Sequence, residues 1–245
     1  VTARATLTGN QFDLDALVAL FPIGDPRVVR TGDETFLEAS ALDDALHAKD
    51  GARLIEVAGG YLKRMNGAAA LCDASYRPVV LANQFHRDNH RHINIIDEVR
   101  GRDSVGVVFA EVRLSATATM LVGGVPAVLP PEGPKLLTRA AVHRDVDELL
   151  ALIGSVDALG WDTMWKAMEI IRQAVDGKAA LLATGWITAT AFDEFGYAAN
   201  EPTASGDAAR HARRPPKSPP ARIMTIEEGR QFIRDLIWRW LDSLP

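Results

Sequence analysis

The hydrophobic residues of this chain change period once, and the change falls at a stretch that suits neither period. Gly123 to Thr138 holds three Gly and four Pro, and proline both fixes φ and removes a backbone donor, so a linker is expected there. Before it, short alternating runs and β-branched segments dominate; after it, apolar residues recur at helical spacing. The expected fold class is therefore α+β. An N-terminal antiparallel sheet with helices spans residues 1–122, a Gly/Pro linker 123–138, and a C-terminal helical bundle 139–245. At roughly 100 to 200 residues per domain, a 245-residue chain accommodates two such domains.

In the first region, Ala5 to Thr8 reads as a strand, and an amphipathic stretch opens at Asp13 with Leu14, Leu17, Val18 and Phe21. Arg27 to Arg30 and Thr35 to Glu38 form a hairpin about Thr31-Gly32-Asp33-Glu34, because Gly beside Asp tolerates the positive φ of a tight turn. A helix is expected over Gly51 to Leu71. Its internal Gly59-Gly60 costs about 1 kcal/mol per glycine relative to Ala, which predicts a close helix–sheet contact at that point. Pro78 to Phe85, Arg91 to Val99 and Ser104 to Val122 then read as an antiparallel meander.

In the second region, Val142, Val146, Leu149, Leu150 and Ile153 form one helical stripe. Trp161, Met164, Trp165, Met168, Ile171 and Val175 form another. A third helix runs from Lys178 to Tyr197 with a break at Gly185. The last is announced by Thr225-Ile226-Glu227-Glu228, a capping box in which hydroxyl and carboxylate satisfy free N–H groups reciprocally. All five tryptophans lie between Trp161 and Trp240, as core of this bundle. Trp238 falls beside the apolar stripe, the place for a homo-oligomer contact.

Composition narrows the function classes. With 47% hydrophobic and 24% charged residues the chain has the balance of a globular protein. A net charge of -5 exerts no global pull toward nucleic acid. The single Cys72 excludes an internal disulfide framework and a thiolate zinc cluster, and after the apolar run Ala68 to Leu71 it reads as a small core residue. No apolar run reaches the ~18 residues of a membrane helix, and the first residues lack the features of a signal peptide, so no membrane partner and a cytoplasmic location are expected. The 21 Arg against 6 Lys match the codon bias of a GC-rich bacterial genome. No phosphate loop, dinucleotide fingerprint or nucleophile elbow occurs, and no cofactor is expected.

Three places carry candidate chemistry. His86, His90 and His92 are imidazoles with potential for zinc, but they flank the turn Asp88-Asn89, lack a carboxylate motif, and fit a solvated hairpin tip better. Arg87 to His92 matches the R-x4-H of HEPN ribonucleases, yet with three allowed Arg–His spacings about 1.5 matches arise by chance in a chain of this composition, and this one falls between strands. The third place is the Pro-rich loop 200–224, where Arg210, Arg213, Arg214, Lys217 and Arg222 face the single acid Asp207 between Ser205 and Arg222. Guanidinium forks bind phosphate bidentately, and His211 titrates near neutral pH. Arg210, His211, Arg213, Arg214 and Lys217 are therefore the candidate ligands for RNA or another anionic partner. Asp207 and Glu201 are alternative partners that fix the loop instead.

Gly206-Asp207-Ala208-Ala209-Arg210-His211, the prolines that follow, and Met224-Thr225-Ile226-Glu227-Glu228 resemble a C-terminal GD-x-x-RH … PP … M-[ST]-x-E-E pattern of an uncharacterised bacterial protein family. Met65-Asn66-Gly67-Ala68 and Tyr76-Arg77-Pro78-Val79 are similar to its N-terminal half. That resemblance implies an ordered role for the loop. A helical bundle with Arg and His near the last helix also resembles the HEPN superfamily. This implies metal-independent RNA cleavage by Arg210 and His211, although these two are adjacent where the HEPN pattern separates them. Binding or regulation is the first expectation, a HEPN-like ribonuclease the second, and a structural adaptor the third.

Overall fold

Five antiparallel strands form the sheet at the centre of the N-terminal region, in the order β2-β3-β1-β4-β5. The computed structural model describes residues 3–87, 91–94, 121–122, 125–126, 132–210 and 218–245, and of residues 83, 91–94, 121–122, 125–126 and 207 the backbone alone. The elements of the first region are β1 (Ala3–Thr8), α1 (Gln11–Leu20), β2 (Arg27–Thr31), β3 (Glu34–Glu38), α2 (Ser40–His47), α3 (Gly51–Cys72), β4 (Val80–Arg87) and β5 (Arg91–Asn94). A two-stranded pair, β6 (Leu121–Val122) and β7 (Val125–Pro126), follows. Ile95 to Val99 and Ser104 to Met120 of the expected meander lie outside the described residues.

The hairpin expected about residues 31–34 forms, with Thr31 opposite Glu34. Strand register then sorts side chains between faces, since directly opposed residues share one. Ala5 opposes Leu37 and Phe85, and Leu37 opposes Val28, so one face is apolar and all four are buried. Arg4 opposes Glu38 and His86, and Thr6 opposes Phe36, which makes the other face polar. The Asn10 side chain caps α1 by accepting from the Phe12 N–H at 2.9 Å. The sequence reading missed α2, whose Asp43 carboxylate accepts from the Ala3 N–H at 2.6 Å; eight residues are too few for periodicity to announce.

The second region contains α4 (Glu132–Val142), α5 (Arg144–Ile153), α6 (Trp161–Ala174), α7 (Lys178–Ala183), α8 (Ala189–Asn200), the single turn α9 (Pro202–Ser205), a 3-10 turn (Gly206–Ala208) and α10 (Ile226–Ser243). Helix α4 begins inside the expected linker 123–138. Pro134 stands in its first turn, where a missing N–H costs nothing. The expected third helix is two helices: Gly185 takes φ 72° after α7, and Thr188 caps α8 through the Ala191 N–H. The capping box forms as expected, with the Thr225 N–H donating to Glu228 at 2.8 Å and the Glu228 N–H to Thr225 Oγ1 at 3.3 Å. Among the described residues no helix is long and apolar enough to cross a membrane.

The chain divides into two units, Val1–Leu62 with Cys72–Leu136, and Lys63–Leu71 with Leu137–Pro245. Nine residues of α3 thus belong to the bundle, as the position of the required glycine makes plain. A Cβ on Gly59 meets nothing within 4 Å, so Gly59 is not a point of the close helix–sheet contact expected at Gly59-Gly60. A close approach of a different kind, helix to helix, occurs at Gly67, where a Cβ would collide with the backbone of Leu150 in α5, and reciprocally at Gly154, where it would collide with that of Lys63. Arg64 reinforces the same crossing with a two-pronged pair to Asp147, Nη2 to Oδ2 at 2.8 Å.

Candidate functional site

Helix α6 provides the platform under the start of the basic loop. Trp165 and Glu169 are four residues apart on it and therefore neighbours on its surface, and the indole N–H donates to Glu169 Oε1 at 2.8 Å. Phe195 of α8 stacks on the indole, with centroids 6.1 Å apart and planes at 13°. Phe195 in turn meets Trp161 edge-on at 5.8 Å and Phe232 of α10 at 5.0 Å. An aromatic cluster joining three helices thus fixes the Trp165 ring, and the ring fixes the Glu169 carboxylate.

The chain reaches this platform by folding back on α8. A helix C-terminus leaves its last carbonyls without intrahelical donors. Here Ser205 Oγ donates to the Ala198 carbonyl and the Arg210 N–H donates to the Ala199 carbonyl at 2.9 Å. Asn200, itself buried, donates through Nδ2 to the Gly196 carbonyl at 2.8 Å. The turn 201–209 therefore closes on the helix it leaves, and Arg210 emerges over Trp165, its guanidinium carbon 5.9 Å from the ring centroid. Arg210 Nη1 donates to Glu169 Oε1 at 3.2 Å, so one carboxylate oxygen accepts from both indole and guanidinium.

At the other end of the basic loop Arg222 pairs with Glu228, the carboxylate that also closes the capping box of α10. The Thr225 N–H, and then the Arg222 charge, hold the Glu228 carboxyl below its ordinary range. Residues 208–226 contain five basic residues and no acid, a net +5. Their two outer arginines, Arg210 and Arg222, are each paired with a carboxylate of the bundle. His211, Arg213, Arg214 and Lys217 lie outside the described residues, as does the Asp207 side chain.

Of the histidine candidates, strand register brings two together. His86 is not at a solvated tip: it sits in β4, where its Nε2 is 2.9 Å from Thr6 Oγ1 and its ring stands edge-on to Phe36 at 5.1 Å. Backbone register sets His92 opposite His86, and His90 lies outside the described residues. Around His86 the polar sheet face gathers a cluster that the sequence reading missed. Glu38, 3% exposed, takes Arg4 Nε at 2.7 Å on one oxygen and Arg27 Nε and Nη2 at 2.7 and 2.6 Å on the other. The Arg4 guanidinium lies over Phe36, 5.7 Å from its centroid.

Cys72 also departs from expectation. It retains exposed surface at the end of α3. The protein packed around it, with added repulsion from the carboxylates of Glu132 and Asp73, still pushes its thiol up to about 11. It therefore stays protonated at neutral pH and is a poor nucleophile.

Glu169 and Trp165 also escaped the sequence reading as site residues. Their i,i+4 spacing is visible in the sequence, but their relation to Arg210, 41 residues away from Glu169, is not. No protein-family model matches the chain, and no curated protein or solved structure matches it either.

Proposed function

We propose that this protein binds an anionic partner, RNA, through the basic segment between Arg210 and Arg222, as a binding or regulatory protein. The observation that carries the reading is the anchoring of an acid-free, +5 segment at both ends to one helical unit. Arg210 is tied to Ala199, Glu169 and Trp165, and Arg222 to Glu228. Anchored ends limit the conformational freedom the segment loses on binding, which is the advantage of a loop carried on a rigid scaffold. Between the anchors the sequence sets Arg213, Arg214 and Lys217, cations suited to phosphate oxygens.

Fluorescence anisotropy with a labelled single-stranded oligouridine tests the reading. The expected result is binding that weakens steeply with salt, without turnover, since neutralised phosphates release counterions. Replacing Arg213, Arg214 and Lys217 together with Ala is expected to weaken binding at least about tenfold. Unchanged affinity in that variant overturns the proposal. RNA cleavage in EDTA that is abolished by His211→Ala would replace it with the ribonuclease reading.

A further inference from the structure

We infer that Glu169 and Trp165 are positioning residues that keep Arg210 out of the phosphate-contacting set, so that Arg210 anchors the basic segment without reading the RNA. The inference rests on the RNA-binding proposal and deepens it by dividing the segment's cations into anchors and ligands.

Three observations carry it. Glu169 offers Arg210 what a phosphate would offer, an anionic oxygen at hydrogen-bonding distance, 3.2 Å from Nη1. The oxygen is held for that purpose, because Oε1 also accepts from the Trp165 indole at 2.8 Å and the indole is fixed by Phe195. The guanidinium is placed from two further directions, by the Trp165 ring at 5.9 Å and by its own backbone N–H on Ala199. Arg210 is 28% exposed and held at backbone, ring and carboxylate. The same pair leaves the Glu169 carboxylate 36% exposed, in reach of both Arg210 and water.

The salt dependence of RNA affinity reads the number of phosphates neutralised, a quantity that a merely structural role of Glu169 would not alter. For a single strand each contact adds about 0.7 to the slope of log K against log salt, which is about 2.6-fold more weakening for each fourfold rise in salt. In wild-type protein, Arg210→Ala is expected to leave that slope unchanged. Glu169→Gln is expected to release Arg210 and steepen the slope by about 0.7. The double variant is expected to return to the wild-type slope. A wild-type slope that flattens by about 0.7 with Arg210→Ala, or one that ignores Glu169→Gln, overturns the inference and leaves the RNA-binding proposal standing.

A second measurement needs no RNA. Hydrogen exchange of the Arg210 guanidinium, followed by NMR, is expected to be slower in wild-type protein than in Glu169→Gln. Equal rates overturn the anchor. Slow exchange in a protein that binds no oligouridine overturns the functional proposal and the division of cations drawn from it, with the anchor retained as a structural feature.

Discussion

Each unit of the molecule holds an arginine–carboxylate cluster, and the two are built for different ends. In the sheet unit Glu38 is 3% exposed, accepts from Arg27 and is ion-paired with Arg4, both of which face it directly across the strands. In the bundle unit Glu169 is 36% exposed and accepts from Arg210, a residue brought to it by a turn at the end of α8. The pairing chemistry is the same, but the surroundings differ. A carboxylate taken out of water depends on its partners, whereas one left half in water can lose its partner at small cost.

Glu38→Ala breaks the first cluster and is expected to have the largest effect. It leaves two partly exposed guanidiniums without their carboxylate, and a loss of about 2 to 3 kcal/mol is expected in urea unfolding. That is below the ~3 to 5 kcal/mol of a fully buried pair because Arg27 and Arg4 keep part of their surface in water. A cost under about 0.5 kcal/mol would show that water already reaches this carboxylate.

Glu169→Gln sharpens the contrast from the other side, with an expected loss below about 1 kcal/mol in the same assay. Were it as costly as Glu38→Ala, the bundle cluster would be a buried structural pair of the same kind, and the contrast drawn from its greater exposure would fall.

The smallest effect belongs to the far anchor. The Glu228 carboxyl is held below its ordinary range by the Thr225 N–H and by Arg222. Its contribution is therefore fully present above the ordinary glutamate pKa near ~4.3 and is lost as pH falls through its lowered folded value. Glu228→Gln removes this dependence, so the stability difference between wild type and variant should shrink as pH drops through that window. A difference that stays constant there would mean that the cap does not depend on the carboxylate charge.

Much of the fold was legible because it rests on local physics. The capping box at Thr225 and Glu228, the hairpin about Gly32 and Asp33, and the stripe from Ile233 to Leu241 are all written within a few residues of themselves. Gly59 shows where such reading fails. Gly59 and Gly67 look alike within one helix, but only Gly67 faces a backbone, that of Leu150. The basic segment was equally visible as a run of charge, while its anchor was not. Trp165 read as core, and nothing near Glu169 points to residue 210.

The sequence by itself determined most of the helices and strands, though not α2 or the start of α4, together with their hydrophobic faces and the concentration of positive charge between residues 208 and 226. Each of these follows from side-chain period, proline and glycine punctuation or formal charge, properties that act over one or two turns. Tertiary structure decided the strand order β2-β3-β1-β4-β5, the meeting of Thr6 with His86 across 80 residues, and the capture of Arg210 by Glu169 across 41. Such partners are chosen when the chain closes long loops around a shared core, and the identity of a distant partner leaves no mark on local spacing.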